Sequence, residues 1–195
     1  MIKLLLTLLA CTPAKLEVTE AKDTQSTETP APPSELGVVE RPDCNQKALG
    51  SNVCNMFLYD QNNEIWELYQ HKGKVVVLDF STSWCYPCQV AGMSTQSVYD
   101  DYNGEVEFVT LLVDGFTHSV PPTDDEIESW VVNHNVTTAP ILKASREYVM
   151  DQQGVTGYLV GGFPTYVLLD KNLIIANAAV GFSEPRLKQM IDELL

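Results

Sequence analysis

Cys85 and Cys88, three positions apart, are the residues of this chain best suited to chemistry. A thiolate attacks disulfides, and a second thiol one helical turn away can displace whatever the first has captured. The pair follows an apolar, β-branched run, Val75-Val76-Val77-Leu78-Asp79-Phe80, bounded in front by Gly73. That run predicts a buried strand. Behind the pair, Val90, Met93, Val98 and Tyr102 recur near helical spacing and predict a helix over about 87–102. Cys85 then sits at a strand-to-helix junction, where unpaired N–H groups and the helix dipole favour a negative charge. Pro87 suits the first turn, where its missing N–H costs little. Position predicts that Cys85 is exposed and attacks, while Cys88, one turn in, is more buried and resolves. The rival reading of such a pair is half of a zinc site. That needs two further ligands, and His71, His118 and His134 are scattered along the chain. Asp79 is the lone acid in its run. Burying an idle charge is costly, so the placement predicts a carboxyl with a raised pKa that passes protons near neutrality.

Trp84-Cys85-Tyr86-Pro87-Cys88 resembles the active-site motif of thioredoxin-like proteins. Asp79, six residues before Cys85, falls where thioredoxins keep a buried acid that handles protons. Gly162-Phe163-Pro164-Thr165, ahead of the apolar Tyr166-Val167-Leu168-Leu169, resembles the family's cis-proline loop. Lys72-Gly73-Lys74 before the strand is similar to the extracytoplasmic, membrane-tethered branch, the TlpA/ResA-like thiol–disulfide oxidoreductases. The resemblance spans about residues 55–195. Two positions depart from that branch: Ala91 stands where a glutamate is frequent, and Met93 where a proline kinks the helix. Without that glutamate, Asp79 is left as the proton handler.

The resemblance implies a thioredoxin-like α/β fold: a mixed central sheet flanked by helices, with an N-terminal β-hairpin and a helical insertion. It implies Cys85 and Cys88 as the redox couple, supported by Trp84, Tyr86, Pro87, Phe163, Pro164 and Thr165 around the substrate. It implies no cofactor and no metal. The partners would be protein or small-molecule disulfides and a membrane electron donor of thioredoxin-relay type. Proline between the cysteines, with no histidine there, is the pattern of reducing members, so the expectation is a protein disulfide reductase. The competing readings are an oxidase or isomerase, a peroxidase-like redoxin, and a tethered binding module in which Cys85–Cys88 is a static staple.

The 195 residues carry a formal charge of −14, with 26 acidic against 12 basic side chains. That balance argues against nucleic acid or an anionic membrane surface as an electrostatic partner. Residues 1–10 hold one lysine and an apolar run too short to span a bilayer, and read as a secretion signal. They end in Leu8-Leu9-Ala10-Cys11, which resembles a lipoprotein box with lipid on the Cys11 sulfur. Residues 11–42 are rich in Thr, Glu, Pro and Ala and read as a tether. Residues 43–195 form the domain. The expected location is therefore the periplasmic side of a bacterial membrane, with Thr12 favouring the outer membrane in a Gram-negative host. Of the five cysteines, Cys44 and Cys54 are then left to pair as a structural disulfide, as an oxidising compartment allows. A second redox pair feeding Cys88 is the alternative reading of those two.

Along the domain, Met56–Tyr59 and Ile65–Tyr69 flank a polar turn and predict a hairpin. A second apolar strand covers 106–113. A helix follows from Asp124 to about His134, capped by Asp124 or Thr123, with Ile127, Trp130 and Val131 as its apolar stripe. His134 reads as a helix-end residue. Then come a short helix at 146–153, strands at 165–169 and 173–180, and a last helix from Ser183, which is expected to cap it.

Overall fold

The computed structural model describes residues 44–150 and 157–195. The expected signal, Cys11 and the tether lie outside them. Five strands form one sheet in the order β5-β4-β3-β6-β7. β3 (Val75–Thr82), β4 (Val106–Asp114) and β5 (Ile141–Lys143) run parallel to one another, and β6 (Thr165–Leu169) and β7 (Ile175–Val180) alternate antiparallel beside them. A separate hairpin joins β1 (Phe57–Tyr59) to β2 (Ile65–Glu67), with Leu58 opposite Trp66. The fold is thus the mixed sheet with flanking helices and a leading hairpin that the sequence predicts.

Every residue of β3 and β4 is buried. This explains why both read as unbroken apolar runs rather than alternating ones. Alternation still sorts their side chains by face. Val76, Leu78 and Phe80 join Val109, Leu111 and Val113 and the hairpin residues Leu58 and Trp66 on one side. Val75 and Val77 pack on the other, with Phe108, Tyr166 and Leu168. That second side is covered by α1 (Tyr86–Asp101) through Val98, and by α4 (Glu184–Asp192) through Leu187, Met190 and Ile191. Asp79 falls on it as well, two residues from Val77.

Helix α1 buries only half of the expected stripe, with Val98 inward and Tyr102 packed against the core. Val90 and Met93 are 44% and 72% exposed, and the inward residues are Cys88, Ala91, Gly92, Thr95 and Val98. Small side chains let α2 (Asp124–Asn133) and its end approach closely: His134 lies against Gly92. Thr123 caps α2 in a full capping box with Glu126. His134 ends the helix with Nδ1 2.8 Å from the Trp130 carbonyl oxygen.

Three other expectations are corrected. Ser183 precedes α4 but makes no side-chain cap, because its hydroxyl is not set on the first-turn amides. The last strand begins at Ile175, since Leu173 sits at φ +64° in the turn that Asp170 organises. The short helix α3 is Arg146–Val149, ending before Met150, and residues 151–153 of the expected span lie outside the described ones.

Strand β5 has no counterpart in the sequence reading. Its outer edge is met by a side chain from the hairpin turn. Gln61 donates to the Ala139 carbonyl at 3.1 Å and accepts from the Ile141 amide at 2.8 Å.

Candidate active site

β3 delivers Cys85 to the start of α1, and the cysteine is the helix N-cap. Its sulfur accepts a hydrogen bond from the Cys88 amide at 3.3 Å. An N-cap sulfur is where the free helix amides and dipole stabilise a thiolate. Pro87 occupies the first turn, where no hydrogen bond is lost. Cys88 returns one turn later and bonds to Cys85, with the Cα atoms 5.2 Å apart. Cys85 is not exposed as predicted. It is 5% accessible against 0% for Cys88. The order of burial is as expected, but Trp84 and Phe163 crowd the entrance. Tyr86, by contrast, stands out at 78% exposure.

The loop before β6 supplies the opposite wall. The Phe163–Pro164 peptide is cis, and the Phe163 carbonyl oxygen lies 3.5 Å from the Cys85 sulfur. Thr165 is buried at the start of β6 and donates its hydroxyl to the Gly162 carbonyl at 2.6 Å, which folds the loop back on itself. Register places Thr165 beside Phe80, close to where β3 hands over to the cysteine motif.

Asp79 is fully buried in β3, with Thr110 and Tyr166 on the neighbouring strands. Burial pushes its pKa up to about 7, against the opposing hydrogen bonds from Ser81 at 2.8 Å and Thr110 at 3.3 Å. No lysine or arginine pairs with it among the described residues. A carboxyl in that state exchanges its proton near neutrality.

No family model matches the chain. It is 25% identical over 145 residues to the thioredoxin-like protein YneN of Bacillus subtilis, covering 73% of this chain and 78% of that one. To the thiol–disulfide oxidoreductase ResA of Bacillus anthracis it is 26% identical over 140 residues, covering 71% and 73%. Among solved structures, the pneumococcal exposed lipoprotein thioredoxin of Streptococcus pneumoniae superposes with a TM-score of 0.61 at 20% identity, over 72% of this chain and 99% of that one. The fold is thioredoxin-like, and the activity that the curated relatives support is thiol–disulfide exchange.

In this thioredoxin-like fold most of the sequence-predicted residues fall into two groups, and Asp79 lies apart from both in the interior of β3. Trp84, Cys85, Cys88, Phe163 and Pro164 come together around one disulfide, with Tyr86 and Pro87 on its outer side. Cys44 and Cys54 form the other disulfide, Cα atoms 4.9 Å apart, in a segment bonded to the start of β7 through Gly50 and Ser51. The scattered histidines each have separate neighbours: His71 stacks on Trp66, His118 lies against Trp84, and His134 lies against Trp130.

Sequence reasoning missed the polar supports. Thr110 and Ser81 hold the Asp79 carboxyl, and both look like ordinary strand residues. Asp114, buried at the end of β4, accepts from Trp84 Nε1 at 2.9 Å and from Arg146. A polar residue ending a buried parallel strand on the same side as the cysteines was the available signal for Asp114. Arg146, distant in sequence and outside any motif, had none.

Proposed function

We propose that the protein is a protein disulfide reductase working outside the cytoplasm, tethered to the membrane through lipid on Cys11. The observation that carries the redox reading is the asymmetry of the pair. Cys85 is the N-cap sulfur beside the cis-Pro164 loop, and Cys88 is sealed one turn behind it.

In the reduced protein the Cys85 thiolate bonds to one sulfur of a substrate disulfide. The substrate S–S bond breaks, and its other sulfur leaves as a thiolate that takes up a proton. Cys88 then loses its proton towards Asp79, directly or through water, and its thiolate attacks the Cys85 sulfur. The mixed disulfide breaks, the second substrate thiolate departs and is protonated, and Cys85–Cys88 is left oxidised. The substrate has gained two electrons and two protons in all. A membrane dithiol donor returns them and becomes a disulfide itself.

The reducing direction is supported by Pro87 between the cysteines and by the absence of histidine there. Location outside the cytoplasm is supported by the apolar residues 1–10, by Leu8-Leu9-Ala10-Cys11, and by a second disulfide remote from the site. The pneumococcal structure is itself described as an exposed lipoprotein. Trp84, Tyr86 and Phe163 form the surface that receives substrate, with Pro164 and Thr165 buried behind it as its support.

The deciding experiment is the reduction potential of the Cys85–Cys88 couple in a glutathione or dithiothreitol titration. A reductase is expected near the thioredoxin value, about −270 mV, and a result near about −120 mV would instead make the protein an oxidant. Membrane fractionation tests the anchor: Cys11→Ser should move the protein to the soluble fraction, and retention in membranes equal to wild type overturns lipidation.

A further inference from the structure

Side chains from separate segments meet at the rim of Cys85. Asp114 is buried, and its carboxylate accepts from Arg146 Nε at 2.8 Å, Arg146 Nη2 at 2.6 Å, Trp84 Nε1 at 2.9 Å and the Ser119 amide at 3.0 Å. Burial pushes the Asp114 carboxyl up, but the bonds from Arg146, Ser119 and Trp84 outweigh it and hold its pKa below the ordinary carboxylate value. The guanidinium of Arg146 in turn lies 5.3 Å from the centroid of the Phe163 ring. The indole of Trp84 meets the same ring edge-on, centroids 6.0 Å apart at 90°. Phe163 is therefore held on two sides, by an arginine and by the residue that precedes Cys85. Its carbonyl is the group beside the Cys85 sulfur.

We propose that Arg146 is a positioning residue for disulfide exchange: fixed on Asp114, it clamps Phe163 against Trp84 and so holds the Phe163-Pro164 backbone in place beside Cys85. Arg146 does not touch the reacting sulfurs. It acts on approach, fixing the wall along which a disulfide must lie for the Cys85 thiolate to bond to one sulfur and expel the other. Exchange is sensitive to this, because attack and departure must be nearly collinear and small misplacements of reacting groups slow reactions steeply. Arginine suits the task as lysine would not. Its planar fork grips a carboxylate with two bonds while its flat face lies on an aromatic ring.

The inference rests on the redox reading above, and one set of proteins separates the two. Asp114→Asn/Arg146→Met deletes the ion pair without stranding a buried carboxylate, and the asparagine oxygen can still accept from Trp84 and Ser119. Phe163→Leu attacks the clamp from its other end and leaves the ion pair intact. Each is compared with wild type in two reactions of the reduced protein: exchange with a short peptide containing one disulfide, and alkylation of Cys85 by iodoacetamide, which needs no docking. Exchange is expected to slow about tenfold in both variants, with alkylation kept within about twofold. Combining the variants should slow exchange no further, because both remove the same clamp. Exchange at the wild-type rate, a parallel loss in both reactions, or additive losses each overturn the role of Arg146. A wild-type protein that fails to exchange with the peptide overturns the redox reading itself.

Discussion

The imidazole of His134 lies against Gly92, so close that a Cβ there would come within 2.6 Å of Cδ2 and 2.9 Å of Nε2. Gly92 stands one turn beyond Cys88, and His134 ends α2. The contact sets how near the cysteine-bearing helix comes to its neighbour. Gly92→Ala gains helix propensity, about 1 kcal/mol at most. It also drives a methyl into a buried ring that the Trp130 carbonyl holds in place, and overpacking of this kind costs about 1–3 kcal/mol. The clash should win, so urea denaturation should show a net loss of stability. A more stable variant would mean that His134 moves aside freely.

Asp79 binds its proton more tightly in the folded chain, where its pKa is about 7, than at its ordinary value of 3.8. Stability therefore falls as pH rises across that interval, and the full penalty, roughly 4 kcal/mol, applies above it. Asp79→Asn removes the titration. The variant should exceed wild type in stability at about pH 8 and lose that advantage by about pH 4. Substrate release should slow at the same time, with a flatter pH–rate profile near neutrality. Urea melts and turnover across that range measure both, and an unchanged rate profile would remove Asp79 from the mechanism.

The burial order of the cysteines predicts unequal mutants. Cys88→Ala keeps the attacking sulfur and loses release, so it should accumulate mixed disulfides with its natural substrates. Cys85→Ala leaves only the sealed sulfur and should trap almost nothing. Non-reducing gels of both variants from cells show the difference, and equal trapping would dissolve the assignment.

Cys44–Cys54 closes a loop across a sequence separation of 10, away from the redox pair. Replacing both cysteines by serine should cost about 2–4 kcal/mol, chiefly by freeing the unfolded chain. The alkylation rate of Cys85 should stay the same. A large change in that rate would mean that the second disulfide exchanges electrons with the first.

The fold was legible where one physical cause dominates. β3 and β4 are buried on both faces, so an apolar run suffices to find them. The cysteine spacing and the Gly162–Thr165 loop carry local signals that need no partner. Three things were not legible, for different reasons. β5 is short, follows Pro140, and owes its outer hydrogen bonds to Gln61 rather than to any strand-like pattern. Helix α1 was found, but only Val98 and Tyr102 of its expected face turn inward, because the close approach of His134 requires Gly92 where Val90 and Met93 were expected to pack. The support of Trp84 and Phe163 depends on Arg146 meeting Asp114, a meeting that only the folded chain brings about.

Gln61 also bears on what this protein can safely touch. Disulfide exchange with protein clients would bring extended chains to the molecule, and such chains add readily to any open sheet border. At β5 the outward amide of Ile141 and carbonyl of Ala139 are already answered by a carboxamide that imitates a passing backbone. A client strand arriving at this end of β5 finds those two groups already paired. An extended client held at the sulfurs would meet, at that stretch of border, groups already paired rather than an open seed for aggregation.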